Sequence, residues 1–324
     1  MRETNATLAL AAALSLAAGA AFAQYPERPI QMIVPWSAGG GTDAIARQLA
    51  AGLEQKLGVT VSVVNRTGGA GVIGHNAMVE AEPDGYTIGF ATAEMVSYYW
   101  NGQAEFTHEA FTPIALVNFD PSAFHVRADS EWATLEDALE AIRSAEPGEY
   151  TLSGMGPGAA YHLAFAGLLQ EQGIDPLSVV VVPSQGAAPG FQELAAGGVD
   201  IIPSSLPEGA SMAQAGQVKA LAVLSEQRNE AFPDVPTVEE AIGVPYAGGT
   251  WRGVVGPEGL DEEVVDTLGA AVEAVVGSEA FTDFMSQQGF GVRYLDAAAF
   301  DDFLAEQHER TGTVMKALNL AQRD

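Results

Sequence analysis

The chain has 324 residues and a mass of 33.7 kDa, more than one hydrophobic core usually serves, and its 48% hydrophobic and 17% charged residues exclude intrinsic disorder and collagen-like repeats. Fourteen basic against 42 acidic residues give a net charge of −28 and a pI ≈ 4.2, so phosphate backbones and anionic lipid are repelled and nucleic acid is excluded as a partner. The sequence contains no cysteine, which removes disulfides, thiolate nucleophiles and Cys-based metal sites.

Residues 6–21 run almost unbroken in Ala and Leu and end at Ala21-Phe22-Ala23 before Gln24. This pattern reads as a secretory signal over 1–23, removed on export, and it is short for a membrane span. The mature chain is then a soluble exported protein.

Ile30–Pro35 is an apolar strand followed by Trp36-Ser37-Ala38-Gly39-Gly40-Gly41. Thr42 and Asp43 offer N-caps to a helix with Ile45, Leu49, Leu53 and Leu57 at i, i+4 spacing. Val59–Val64 alternates as a strand, enters the loop Asn65–Gly71 and is followed by a helix from Val72. Pro83-Asp84-Gly85 is a turn before the strand Thr87–Ala91. A second series starts after Ile114–Asn118: a helix over Thr134–Ser144, a strand over Tyr150–Ser153, the loop Gly154–Gly158 and a helix through Gln172. Strands at Val179–Val182, Val199–Ile202 and Val218–Leu224 follow, with a loop and helix after Pro183. Amphipathic helices over Glu262–Val276 and Ala298–Leu318 close the chain. The alternation predicts an α/β protein of two lobes, each a mostly parallel sheet flanked by helices, with a ligand cleft between them. Residues 24–122 and 226–324 form one lobe and 123–225 the other.

The glycine loops are where chemistry can reside. A loop that leaves a strand and enters a helix aims unpaired backbone N–H groups one way, backed by the positive end of the helix dipole. Such a site holds an anion without a basic side chain. Four loops have this form, at 37–43, 67–74, 153–159 and 184–190; tight turns and close packing are the structural alternative for each. Gly69-Ala70-Gly71-Val72-Ile73-Gly74 spells the dinucleotide pattern G-x-G-x-x-G. The acid that pattern requires is missing from the next strand end, since Asp84 falls in a turn and Glu94 lies past the strand.

No G-x-S-x-G elbow, H-E-x-x-H or phosphate-binding P-loop is present, so no enzyme activity, cofactor or metal is expected. His75, His108, His125, His162 and His308 never pair at metal-ligand spacing. His75 and His162 follow glycine loops and read as helix-start residues bonding nearby backbone. Asp43 reads as a cap, Trp36 as a residue that stacks on a solute or packs, and Trp251-Arg252 as a cleft pair or a surface pair. Asp261-Glu262-Glu263 suits a helix start.

Several segments in order resemble the substrate-binding proteins of tripartite tricarboxylate transporters, the Bug/TctC family. They are Val34–Asp43, Asn65–Gly74, Pro83–Thr87, Val182-Pro183, Gly186–Pro189, Gly198–Asp200, Lys219–Val223 and Pro233–Thr237. The resemblance spans nearly the whole mature chain. It implies a type II periplasmic binding fold that closes over a small carboxylate and delivers it, as a monomer, to a two-component membrane permease. It also implies that loops 37–43 and 67–74 hold one carboxylate while the other lobe selects the rest of the solute. The implied ligand-binding residues are Trp36, Ser37, Ala38, Gly40, Gly41, Thr42, Gly69, Ala70, Gly71, Met155, Gly156, Gln185, Gly186 and Ser204. Two departures bear on specificity. Ala159 stands where the family commonly has Ser or Thr, and Ser184-Gln185 stand where it often has Tyr-Lys. A distal pocket without that hydroxyl and cation favours a monocarboxylate, an aromatic acid or an amide-bearing solute over citrate. The readings from other classes are an exported α/β enzyme, a dinucleotide-binding protein using Gly69–Gly74, and a sensor that binds the same solute.

Overall fold

The computed structural model describes residues 25–323, and the leader expected over 1–23 lies outside them. Six strands form the first sheet, in the order β10-β4-β9-β3-β1-β2. They are β1 (Ile30–Val34), β2 (Val61–Asn65), β3 (Thr87–Thr92), β4 (Phe111–Pro121), β9 (Gly249–Pro257) and β10 (Val292–Leu295). β1 pairs in parallel with β2 and β3, as strand–loop–helix units require. β9 runs antiparallel to both β3 and β4, and β10 antiparallel to β4. This sheet is therefore mixed, where the alternation predicts a mostly parallel one. The reason is topological: β4 carries the chain out toward the second lobe and β9 brings it back, with Pro121 opposite Gly249. Two strands that leave and return side by side must oppose.

Helix α1 (Gly41–Leu57) turns Ile45, Ala46, Leu49 and Leu53 inward, packing with α8 (Glu262–Val276) and α9 (Glu279–Gln288) over one sheet face. The core there joins Met32, Val34, Phe90 and Val254 of the strands to Leu268 and Val272 of α8. On the other face α2 (Val72–Val79) and α10 (Ala297–Ala317) cover Ile33, Leu116 and Trp251. Burial of such rows contributes roughly 25 cal/mol per Å² of apolar surface, the main term holding the layers together.

The second lobe contains β5 (Ala123–Arg127), α3 (Leu135–Ser144), β6 (Thr151–Leu152), α4 (Ala160–Glu171), β7 (Val180–Val181), α5 (Ala187–Ala196), α6 (Leu206–Gln214) and β8 (Val218–Val223). β5 pairs antiparallel with β8, and β6 pairs in parallel with β7. The strand expected over 199–202 reduces to two single bridges, Leu152 with Ile201 and His125 with Ile202, which join these pairs. The short helix α7 (Val238–Ile242) packs on α3 and β8, and Val238 is buried in the second core with Phe124, Phe165 and Leu168. No helix among the described residues is long and apolar enough to cross a membrane.

Candidate functional site

The lobes meet where the glycine loops face one another. α1 opens on Gly40, whose extended backbone (φ −84°, ψ 172°) offers no side-chain cap. The first N–H groups of α1 thus lack the partner a cap would supply. Thr42 and Asp43, expected as caps, lie inside the first turn instead, because the helix already starts at Gly41. Asp43 folds back and accepts from the Gly39 N–H at 3.0 Å, from Asn65 Nδ2 at 2.9 Å and from Arg47. Burial opposes its ionisation, but these donors hold its carboxyl below the usual range, so its charge is spent away from the cleft.

Gly40, Gly41 and Thr42, with Trp36, Ser37, Met155 and Gly186, line a cavity of about 30 Å³ between the lobes. Trp36 packs rather than standing free: it is 8% exposed and its Nε1 donates to Thr92 Oγ1 at 3.1 Å. The Ser37 hydroxyl is buried without a partner, as is that of Ser204, which is not itself on the cavity wall but lies next to Gly154, which is. Gly69, Ala70 and Gln185 line a wider outer groove of about 500 Å³ with Pro157 and Pro183. Gly71 is packed beneath the Tyr98 hydroxyl and Trp36, where a Cβ would fall 2.4 Å from Tyr98 Oη. Ala38 is exposed and lines neither space. Gly156 faces the other lobe directly, since a Cβ there would lie 2.2 Å from the Ala70 Cβ. Ala70 itself adopts φ 53°, a left-handed backbone that aims its methyl at Gly156. Hydrogen bonds cross the gap here: the Ser37 N–H donates to Gln185 O at 3.1 Å, and Asn101 Nδ2 to Pro157 O at 3.2 Å.

The floor of the cavity holds groups that the loop pattern alone does not announce: Thr92, Glu94, Tyr161, Glu208, Thr250 and Arg252. Arg252, on β9, is 1% exposed. Its Nε donates to Thr42 Oγ1 at 2.8 Å, its Nη1 to Asn118 Oδ1 at 2.6 Å and to Asp120 Oδ2, and its Nη2 to Glu208 Oε1 at 3.0 Å. Burial disfavours the guanidinium charge, but Tyr161, Glu208 and Asp120 outweigh it and Arg252 stays charged. Glu208 reaches across from the second lobe. It closes a capping box at the start of α6 by accepting from Ser205 N–H and Oγ, and it also accepts from the Tyr161 hydroxyl at 2.9 Å. Glu94 is buried, which pushes its carboxyl up; its partner is Thr92 Oγ1.

The two loop histidines serve the backbone. Thr92 N–H donates to His75 Nε2 at 3.2 Å, so Nδ1 carries the proton and donates to Gly71 O at 3.0 Å. His162 Nδ1 accepts from Gly158 N–H at 2.8 Å. Burial pulls both down to about 4, so both are neutral near pH 7.

Two lobes closing on a small cavity, with an uncapped helix start on its wall, define a solute-binding protein. Residues 45–320 match the model of the tripartite tricarboxylate transporter family receptor, TctC, and the chain belongs to that family. The chain is similar to the periplasmic binding protein BugD at 30% identity and TM-score 0.84, covering 92% of this chain and 100% of that one. It is similar to MatC of Rhodopseudomonas palustris with bound malate at 25% identity and TM-score 0.81, covering 90% and 99%. A second R. palustris protein, solved with adipate, matches at 25% identity and TM-score 0.84, covering 92% and 99%. The dinucleotide and enzyme readings are not favoured by these relatives.

Proposed function

We propose that this receptor captures a small carboxylate between its lobes in the periplasm and delivers it, as a monomer, to a two-component integral membrane permease, without chemical change to the solute. The observation that carries this reading is the α1 start: Gly40 leaves the first helical N–H groups without a cap, beside the unpartnered Ser37 hydroxyl, on the wall of the interlobe cavity. Malate in MatC and adipate in its neighbour support the ligand class. In this reading Ser37, Gly40, Gly41, Thr42 and Gly186 surround one carboxylate, and Gly69, Ala70 and Gln185 form the mouth. Cleavage falls after Ala23. The first lobe comprises 24–122 with the C-terminal part of the chain; the packing of α7 on the second core supports placing the return at β9 rather than at 226.

A thermal-shift screen of residues 24–324 against mono-, di- and tricarboxylates and NAD tests it. A solute at about 1,000 times its dissociation constant adds about 4 kcal/mol, a shift of several degrees. A shift with one carboxylate class and none with NAD is expected. A shift with NAD alone overturns the reading.

A further inference from the structure

Acidic side chains outnumber basic ones on the floor of the cavity, where Glu94 and Glu208 stand with Arg252. We propose that the cleft receives a protonated amine at Glu208, beside the helix start, so that the preferred solute is an amino-substituted monocarboxylate, and that Glu208 is the residue that sets this preference. The inference rests on the cleft being the solute site, and it names a second group that the solute carries beside its carboxylate.

The argument begins with Arg252, the one cation on the cavity wall. A guanidinium has five N–H donors. Four are engaged, by Thr42, Asn118, Asp120 and Glu208. A single Nη2 N–H is left, too few for the two-pronged grip by which arginine usually holds a carboxylate. Its charge is also matched already. Asp120 pairs with it inside the first lobe, and Glu208 adds a second carboxylate from the other lobe, both nine-tenths or more buried. Two carboxyl groups, of Asp120 and Glu208, therefore stand against one guanidinium away from water. A second solute carboxylate would add another acid to this buried group, whereas an ammonium would offset one.

The acceptors are in place for such a group. Glu208 Oε2 is fixed by Ser205 and Tyr161, so the carboxylate cannot swing aside, while Oε1 accepts only from Arg252 and keeps a free lone pair. Its side chain lies against the start of α1, where a Cβ on Gly41 would be 2.8 Å from Glu208 Oε1. Glu94 adds a further buried carboxyl to the same wall. A carboxylate at the helix start and an amine at Glu208 would then be recognised side by side in one small cavity.

The test is calorimetric titration of the full mature chain with straight-chain acids of three to six carbons. Each length is taken as the monocarboxylate, its amino-substituted forms and the dicarboxylate. At the preferred length the amino acid is expected to bind about tenfold or more tighter than the dicarboxylate. Glu208→Gln, which keeps the cap geometry and a hydrogen-bonding group, is expected to shrink that ratio below about threefold. A purely structural role for Glu208 would weaken all solutes alike and leave the ratio intact, which overturns the assignment. A dicarboxylate that binds the unaltered protein as tightly as the amino acid overturns it too, without needing the variant. Binding of dicarboxylates alone would leave the carboxylate receptor standing and sink only the amine. Failure of all three series to bind would sink the cleft reading and the inference with it.

Discussion

Helices that start at the cleft lack side-chain caps, whereas most that start elsewhere have one; α8, whose start at Asp261 makes no side-chain cap, is the exception. α3 begins with Thr134 and α7 with Thr237, each closing a reciprocal capping box; α9 begins with Ser278 and α10 with Asp296, each accepting from its own first turn. α1, α2, α4 and α5 begin with Gly40, Gly71, Ala159 and Gly186, and none of these makes a side-chain cap. A cap is worth about 1 kcal/mol, so the second group forgoes stability that the first group takes. Solvent does not explain the split, because Gly71, Ala159 and Gly186 are buried and Gly40 is half-buried on the cavity wall. What the cleft helices keep is a set of inward N–H donors. α6 stands between the groups: its box is complete, but the Glu208 that closes it also reaches Arg252. Stability and recognition share one carboxylate there.

The contrast can be broken most severely at Gly40. Gly40→Asp places a capping carboxylate where the solute's would sit, and the site has room, since a Cβ meets only Ser37 O at 3.7 Å. Titration should show binding weakened about 100-fold by like-charge repulsion, with the melting temperature unchanged or raised. A middle-sized effect is expected at Gly156. Gly156→Ala sets a methyl against Ala70 and props the lobes apart, so affinity should fall about tenfold. Small-angle scattering at saturating solute should then give a larger radius than the unaltered protein. The smallest effect tests the peripheral group: Thr134→Ala should cost about 1 kcal/mol in urea denaturation and leave solute affinity unchanged. A binding defect in that variant would erase the division between the two sets of helix starts.

The strand–loop–helix units over residues 30–92 are legible because their signal is local: apolar runs, a glycine cluster, then i, i+4 spacing. Loop membership of the cavity was equally accessible, and Trp36, Ser37, Gly40, Gly41, Thr42, Met155 and Gly186 do meet there. The floor was not. Arg252 is separated from Asp120 by 132 residues and from Glu208 by 44, and no periodicity links partners at such range. The box Ser205-x-x-Glu208 can be read from sequence as a helix start, yet only the fold shows that its acid crosses to the other lobe. Asp43 misleads for the opposite reason: an acid near a helix start suggests a cap, but Gly39, Asn65 and Arg47 claim it sideways. α9 went unseen because only Phe281 and Met285 of its ten residues are buried, too few to raise a pattern.

The position of β9 governs when the first lobe can form. This strand lies between β3 and β4, yet it follows them by more than a hundred residues in the chain. As the polypeptide emerges from its N-terminus, β3 and β4 have no partner for their facing edges until residue 257 is available. β5 to β8, by contrast, come from one continuous stretch and can pair as soon as it is made. The second lobe is therefore able to fold while the first still waits with two open strand edges, and β9 completes the sheet as a late insertion, a slow step of high contact order.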